Sequence, residues 1–164
     1  LWRNGEAAES DARALGARAL AIKERALGPD HVGVAATLHQ LGVVDFFKGD
    51  YKNAQIEWER ALKIRERALG PDHLDVAETA NALANLYQTT GEFERARPLY
   101  ERAVSIRERG LGPENPKVGD SLNNLASLLT VLGDYAAALP IAERSVQIKE
   151  KTLGRFVNFG SEFI

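Results

Sequence analysis

Apolar residues return along this chain at helical spacing, in stripes that repeat every 42 residues. Residues three and four apart share one face of a helix. Three such faces read Leu38, Leu41 and Gly42; Ala80, Leu83, Ala84 and Tyr87; and Leu122, Leu125, Ala126 and Leu129. These are expected to be core, with small residues where helices approach closely. Asp45 stands where Tyr87 and Leu129 stand, so the first of these helices should pack less tightly there or hydrogen-bond locally. The intervening segments alternate acids and bases, as in Glu57, Glu59, Arg60, Lys63, Arg65, Glu66 and Arg67. That pattern reads as a solvated helix face.

The punctuation between helices repeats as well. The octapeptide Glu-Arg-Ala-Leu-Gly-Pro-Asp-His occupies Glu24 to His31 and Glu66 to His73, a variant runs from Glu108 to Asn115, and Leu153-Gly154 follows at the same step. Glycine ends a helix by taking a left-handed conformation, and proline cannot continue one. Asp30, Asp72 and Asn115 then fall ahead of the next helix, where a side chain can cap it. A second, tighter signal is Gly49-Asp50-Tyr51, Gly91-Glu92-Phe93 and Gly133-Asp134-Tyr135. Here glycine closes a first helix and the acid opens a second, where the helix dipole favours it. The aromatic anchors the second helix, and Ala54, Ala96 and Ala138 follow as small contacts.

The pattern therefore predicts an all-α chain of about seven helices: a long helix over about 8–27, then antiparallel helix pairs over about 33–68, 75–110 and 117–152. In domain terms, residues 1–154 form one repeat array, with a partial repeat at 1–30 and full repeats at about 31–72, 73–114 and 115–154. Residues 1–7 read as the end of a missing helix.

Asn81-Ala82-Leu83-Ala84-Asn85-Leu86-Tyr87 and Asn123-Asn124-Leu125-Ala126-Ser127-Leu128 look like the first-helix signature of tetratricopeptide repeats. Ile64-Arg65-Glu66-Arg67-Ala68-Leu69-Gly70 looks like the second-helix ending. Over about residues 8–154 the chain resembles the 42-residue variety of that family, found in kinesin light chains and in many bacterial multi-domain signalling proteins. The resemblance implies a right-handed superhelical solenoid whose first helices line a concave, partner-binding groove.

A second stripe on the first helices is not needed for the core. It reads His39, Val43, Phe46 and Phe47; then Asn81, Asn85, Gln88 and Thr89; then Asn123, Ser127, Thr130 and Val131. By the resemblance it faces the groove. Amides offer both a donor and an acceptor, matching the backbone of an extended peptide. A peptide with one or two bulky apolar side chains suits an apolar end at Phe46 and Phe47 beside an amide-rich middle. The family's clamp for a terminal carboxylate needs lysines and arginines beside the asparagines. Here the matching positions are His39, Asn81 and Asn123, with Glu78 and Asp120 nearby, so an acidic ligand is not supported.

Composition narrows the alternatives. With 23 acids against 21 bases the net charge is −2, which gives no positive field to gather nucleic acid or a membrane surface. No cysteine is present, which removes disulfides, thiolate nucleophiles and cysteine-held zinc. No phosphate loop, zinc helix or nucleophile elbow occurs, so neither catalysis nor a cofactor nor a metal is expected. His31 and His73 stand one repeat apart and are expected to serve the connecting turns, while His39 reads as a polar contact.

With no methionine, the chain reads as a piece of a longer protein, or one processed at its start. No spanning run or leader is evident, and a cytoplasmic setting is favoured. Residues 155–164 carry three phenylalanines and read as a cloning or read-through remnant, as a cap on the last repeat, or as a segment that docks into a neighbour's groove. Two alternatives to a peptide-binding scaffold remain open: self-assembly through uncapped ends, and a repeat array regulating a larger signalling protein.

Overall fold

A computed structural model describes the backbone of residues 2–161 and, within it, the side chains of residues 12–152. Seven helices occupy the described residues, with no strand among them: α1 (Trp2–Leu27), α2 (Val32–Phe47), α3 (Tyr51–Leu69), α4 (Leu74–Thr89), α5 (Phe93–Leu111), α6 (Pro116–Val131) and α7 (Tyr135–Ser161). They alternate as first and second helices of antiparallel pairs, as the 42-residue pattern predicts. The chain divides inside α4 into two units, Leu1–Leu86 and Tyr87–Ile164.

Two helices are longer than the pattern predicts. The first begins at Trp2 and takes in the segment read as the end of a missing helix. The last continues through Gly154 to Ser161. Gly28, Gly70 and Gly112 are each followed by proline, whereas Arg155 follows Gly154. An arginine keeps the N–H that proline lacks, so nothing covalent forces α7 to stop. The side chains of residues 153–164, and with them the expected aromatic tail or cap at 155–164, lie outside the described residues.

The short turns close in one way throughout. Gly49, Gly91 and Gly133 have φ of 79°, 82° and 77°, a region that only glycine enters freely. The next residue then donates its N–H back five positions: Asp50 to the Asp45 carbonyl at 2.9 Å, Glu92 to Tyr87 at 2.7 Å, and Asp134 to Leu129 at 2.9 Å. That geometry satisfies carbonyls the helix end would leave unpaired. Asp50 and Asp134 also cap the following helix, accepting from Asn53 and Ala137. At the longer turns the capping residue is not the expected aspartate. His31 Nδ1 accepts from Gly33 N at 3.0 Å, and His73 Nδ1 from Asp75 N at 3.1 Å. Asn115 Oδ1 accepts from Lys117 N at 3.0 Å. Asp30 and Asp72 sit one residue too early for this.

In the first unit Val34, Ala35, Leu38, Ala61 and Ile64 form a buried cluster, with Leu20 of α1 packed against it. In the second, Tyr100, Ala103, Ile106, Val118, Leu122, Leu128, Leu129 and Ile148 are buried. Polar ties bind each second helix to the first helix that follows. Lys23 Nζ donates to Thr37 Oγ1 at 2.8 Å, and that hydroxyl donates to the Gly33 carbonyl. Arg65 donates at 2.7 Å to both Thr79 Oγ1 and the Asp75 carbonyl, and Arg107 repeats the arrangement with Ser121 and Lys117. A further arginine reaches back to the long turn. Arg60 pairs with Glu24 at 2.6 Å and donates to the Pro29 carbonyl, and Arg144 does the same with Glu108 and Pro113. The charged run read as a solvated face is therefore partly structural: Glu57 and Arg65 are buried.

Candidate interaction surface

In the first unit the stripe begins at His39, which is buried rather than open, at 5% exposure. Its Nδ1 stands 3.5 Å from Thr79 Oγ1, and its Nε2 stands 3.8 Å from Glu78. Burial is the main cause that lowers its pKa, outweighing the attraction of Glu78, so the ring is neutral near pH 7. Its carbonyl accepts from Trp58 Nε1 at 3.0 Å. This fixes the indole beneath α2. Val43 is half-buried.

Above that indole stands an aromatic cluster. The Phe46 ring lies 5.7 Å from Trp58, 5.6 Å from Tyr51 and 5.6 Å from Phe47, the last edge-on. Such offset and edge arrangements suit the charge distribution of aromatic rings. Phe46 is half-buried and Phe47 is 83% exposed, so a large apolar ring stands at the surface with one edge contact, to Phe46. On α4 of the same unit, Asn81 and Asn85 are half-buried.

In the second unit, Gln88, Asn123 and Ser127 carry the polar stripe. The Tyr100 hydroxyl donates to Gln88 Oε1 at 2.8 Å, and Gln88 Nε2 donates to Ser127 Oγ at 3.3 Å. Burial pushes the Tyr100 phenol far above its ordinary range, so it stays a donor. Gln88 and Ser127 are thus brought together, with Asn123 exposed on the same helix as Ser127. Thr130 turns its hydroxyl to the Ala126 carbonyl at 2.8 Å, and Val131 is 56% exposed.

The supporting residues Trp58 and Tyr100 were missed in the sequence. They stand 42 positions apart, and that shared register was the signal. A separate cavity of about 200 Å³ in the second unit is lined by Pro113, Glu114, Arg144, Gln147, Ile148 and Lys151, none of them on the stripe. Among the described residues no group of three or more acids and histidines is placed to hold a metal ion, and no helix is long and apolar enough to cross a membrane.

A tetratricopeptide-repeat family model matches residues 9–56, 34–109 and 90–151. The chain belongs to the tetratricopeptide-repeat family. Among solved structures it is similar to BtubC (BKLC) from P. vanneervenii, with a TM-score of 0.83 and 23% identity, over 90% of this chain and 59% of that one. It therefore spans somewhat more than half of that relative, and at this identity the likeness shows the fold alone. A putative kinesin light chain with nearly identical TPR-like repeats from Podosopora anserina matches at a TM-score of 0.72 and 26% identity, over 91% of this chain and 70% of that one. A point variant of the same Podosopora anserina protein gives 0.74 and 25%, over 92% and 70%. No curated protein sequence matches. This tetratricopeptide-repeat chain thus shares its repeat type with kinesin-light-chain-like arrays.

Proposed function

We propose that this tetratricopeptide-repeat chain is a protein-interaction scaffold that holds a segment of a partner polypeptide against the second stripe of its first helices. The carrying observation is Phe47, 83% exposed yet seated edge-on against Phe46 over Tyr51 and Trp58. An aromatic side chain has few rotatable angles to lose when a partner covers it, and Phe is among the residues enriched in interface cores. Val43 and Phe46 extend the apolar end, and His39 supports it from below. Asn81 and Asn85, and in the second unit Gln88, Asn123 and Ser127, supply donors and acceptors for a peptide backbone. The partner is an extended segment with a bulky apolar anchor rather than an acidic one.

Peptide capture from a random library tests this, run on the native chain, on Phe47→Ala, and on the triple variant Asn81→Ala, Asn85→Ala, Asn123→Ala. Enriched peptides should share an apolar anchor, and both variants should lose them. Enrichment indifferent to both sets of changes would remove the stripe as the binding surface.

A further inference from the structure

The first helix pair carries two acids where the later repeats carry apolar residues. Asp45 occupies the position of Tyr87 and Leu129, and Glu57 that of Leu99 and Ile141. Both are nearly covered, at 2% and 7% exposure. Among the described residues one cation answers them. The Arg13 guanidinium of α1 lies 2.8 Å from Asp45 Oδ1 and 2.9 Å from Glu57 Oε1. Three helices therefore meet in one charged cluster, and with both acids ionised a single arginine leaves it one negative charge in excess.

The remaining oxygens point to how the excess is met. Asp45 Oδ2 and Glu57 Oε2 are buried with no hydrogen-bond donor among the described residues. Buried acceptors are normally satisfied, and an unpaired buried charge is costlier still. A single proton resolves both problems. Carried on Glu57, it turns one orphan oxygen into a donor for Asp45 and leaves one carboxylate for one guanidinium.

We propose that Glu57 holds a proton facing Asp45 inside the first helix pair, and that its release loosens the packing of α1, α2 and α3 on one another. Burial is the largest cause raising Glu57, followed by Arg13 pulling it down and the Asp45 charge and hydrogen bond pushing it up; its pKa reaches about 7. The charged groups facing it are Arg13 from α1, Asp45 from α2 and Asp50 from the intervening turn. An acid whose folded pKa is raised holds a proton that the unfolded chain has already released. Its stabilising effect is therefore full below the ordinary pKa of 4.5 and falls away as pH rises to about 7.

The test follows the Glu57 side-chain carboxyl by carbon-13 NMR in the full chain, together with thermal unfolding from pH 4.5 to 8.5 beside Glu57→Gln. Glutamine cannot titrate but donates to Asp45 as a protonated glutamate does. The native Glu57 signal should titrate at least one unit above the ordinary range, and Asp45→Asn should bring it back down. The variant should match the native Tm near pH 5 and exceed it by several degrees at pH 8. Amide exchange, corrected for intrinsic rate, should show protection lost with rising pH in α1–α3 but not in α6–α7, where Leu129 and Ile141 replace the acids. A Glu57 midpoint in the ordinary carboxylate range, or parallel Tm curves for the two proteins, would overturn the proposal. If a variant does not fold, the NMR midpoint of the native chain decides alone.

Discussion

At Gly42 the backbone of α2 meets an indole so closely that an added Cβ would stand 2.5 Å from Trp58 Nε1. Glycine here serves close approach rather than an unusual backbone angle. The third repeat carries Ala126 and Ala142 at these two positions, so a larger residue on the first helix is matched by a much smaller one on the second. Gly42→Ala should therefore destabilise the chain by about 1–3 kcal/mol, the usual cost of overpacking, measured by urea unfolding. The capping histidines make a second residue-scale prediction. His31→Ala removes an acceptor for Gly33 N and should cost about 1 kcal/mol. His31→Asn should be close to neutral in the same assay, since Asn115 already caps α6 in this way. Gly42 was legible in the sequence as a small core residue. That the caps are histidines was not, because Asp30 and Asp72 are better cap formers by type and only the turn geometry rules them out.

Among the helices, the lesson lies in which charges are solvated. Glu57, Arg60 and Arg65 sit in a run of alternating charge that reads as exposed. Arg65 is instead 5% exposed and spends its donors on Asp75, Glu78 and Thr79. Arg60 is bound to the turn ahead of α2 through Glu24 and Pro29. The reason the sequence pattern misleads is that a long guanidinium crosses from one helix to the next and satisfies carbonyls there, which a single-helix periodicity does not register. Arg65→Ala should lower stability by roughly 1.5–3 kcal/mol, the range for hydrogen bonds to charged groups, by urea unfolding. Arg65→Lys should cost less, because Lys23 makes the matching bond to Thr37 one repeat earlier.

Across the whole molecule, weak net charge sets the expectation for binding. The chain carries −2 in all, and the residues proposed for binding, Val43, Phe46, Phe47, Asn81 and Asn85 in the first unit and Gln88, Asn123 and Ser127 in the second, carry no charge. Screening acts on charged pairs, so the Kd of a captured peptide should change by less than about threefold between roughly 0.05 and 0.5 M salt, read by fluorescence anisotropy. His39 and Glu57, both buried, pull stability in opposite directions. The lowered pKa of His39 makes acid destabilising, since the unfolded chain takes up a proton that the buried ring refuses. The raised pKa of Glu57 makes pH values towards 7 destabilising. His39→Gln should therefore flatten the acid side of a Tm profile below about pH 6.5 and leave the Glu57 contribution in place.

Local chemistry along the chain was enough for the all-α class, the 42-residue period, the six turns and the apolar faces of the first helices. All of these follow from glycine, proline and short-range spacing, which act within a few residues. The aromatic pair Phe46 and Phe47 was visible in the sequence, whereas their contacts were not. Packing alone determined that His39 is buried, that Gln88 meets Ser127 and Tyr100, and that Arg13 answers Asp45 and Glu57. Arg13 and Asp45 are 32 positions apart, and helical periodicity does not reach across that distance. Whether a charged side chain is solvated or bound is settled by what the neighbouring helix places opposite it, and that follows from the way the helices are brought together.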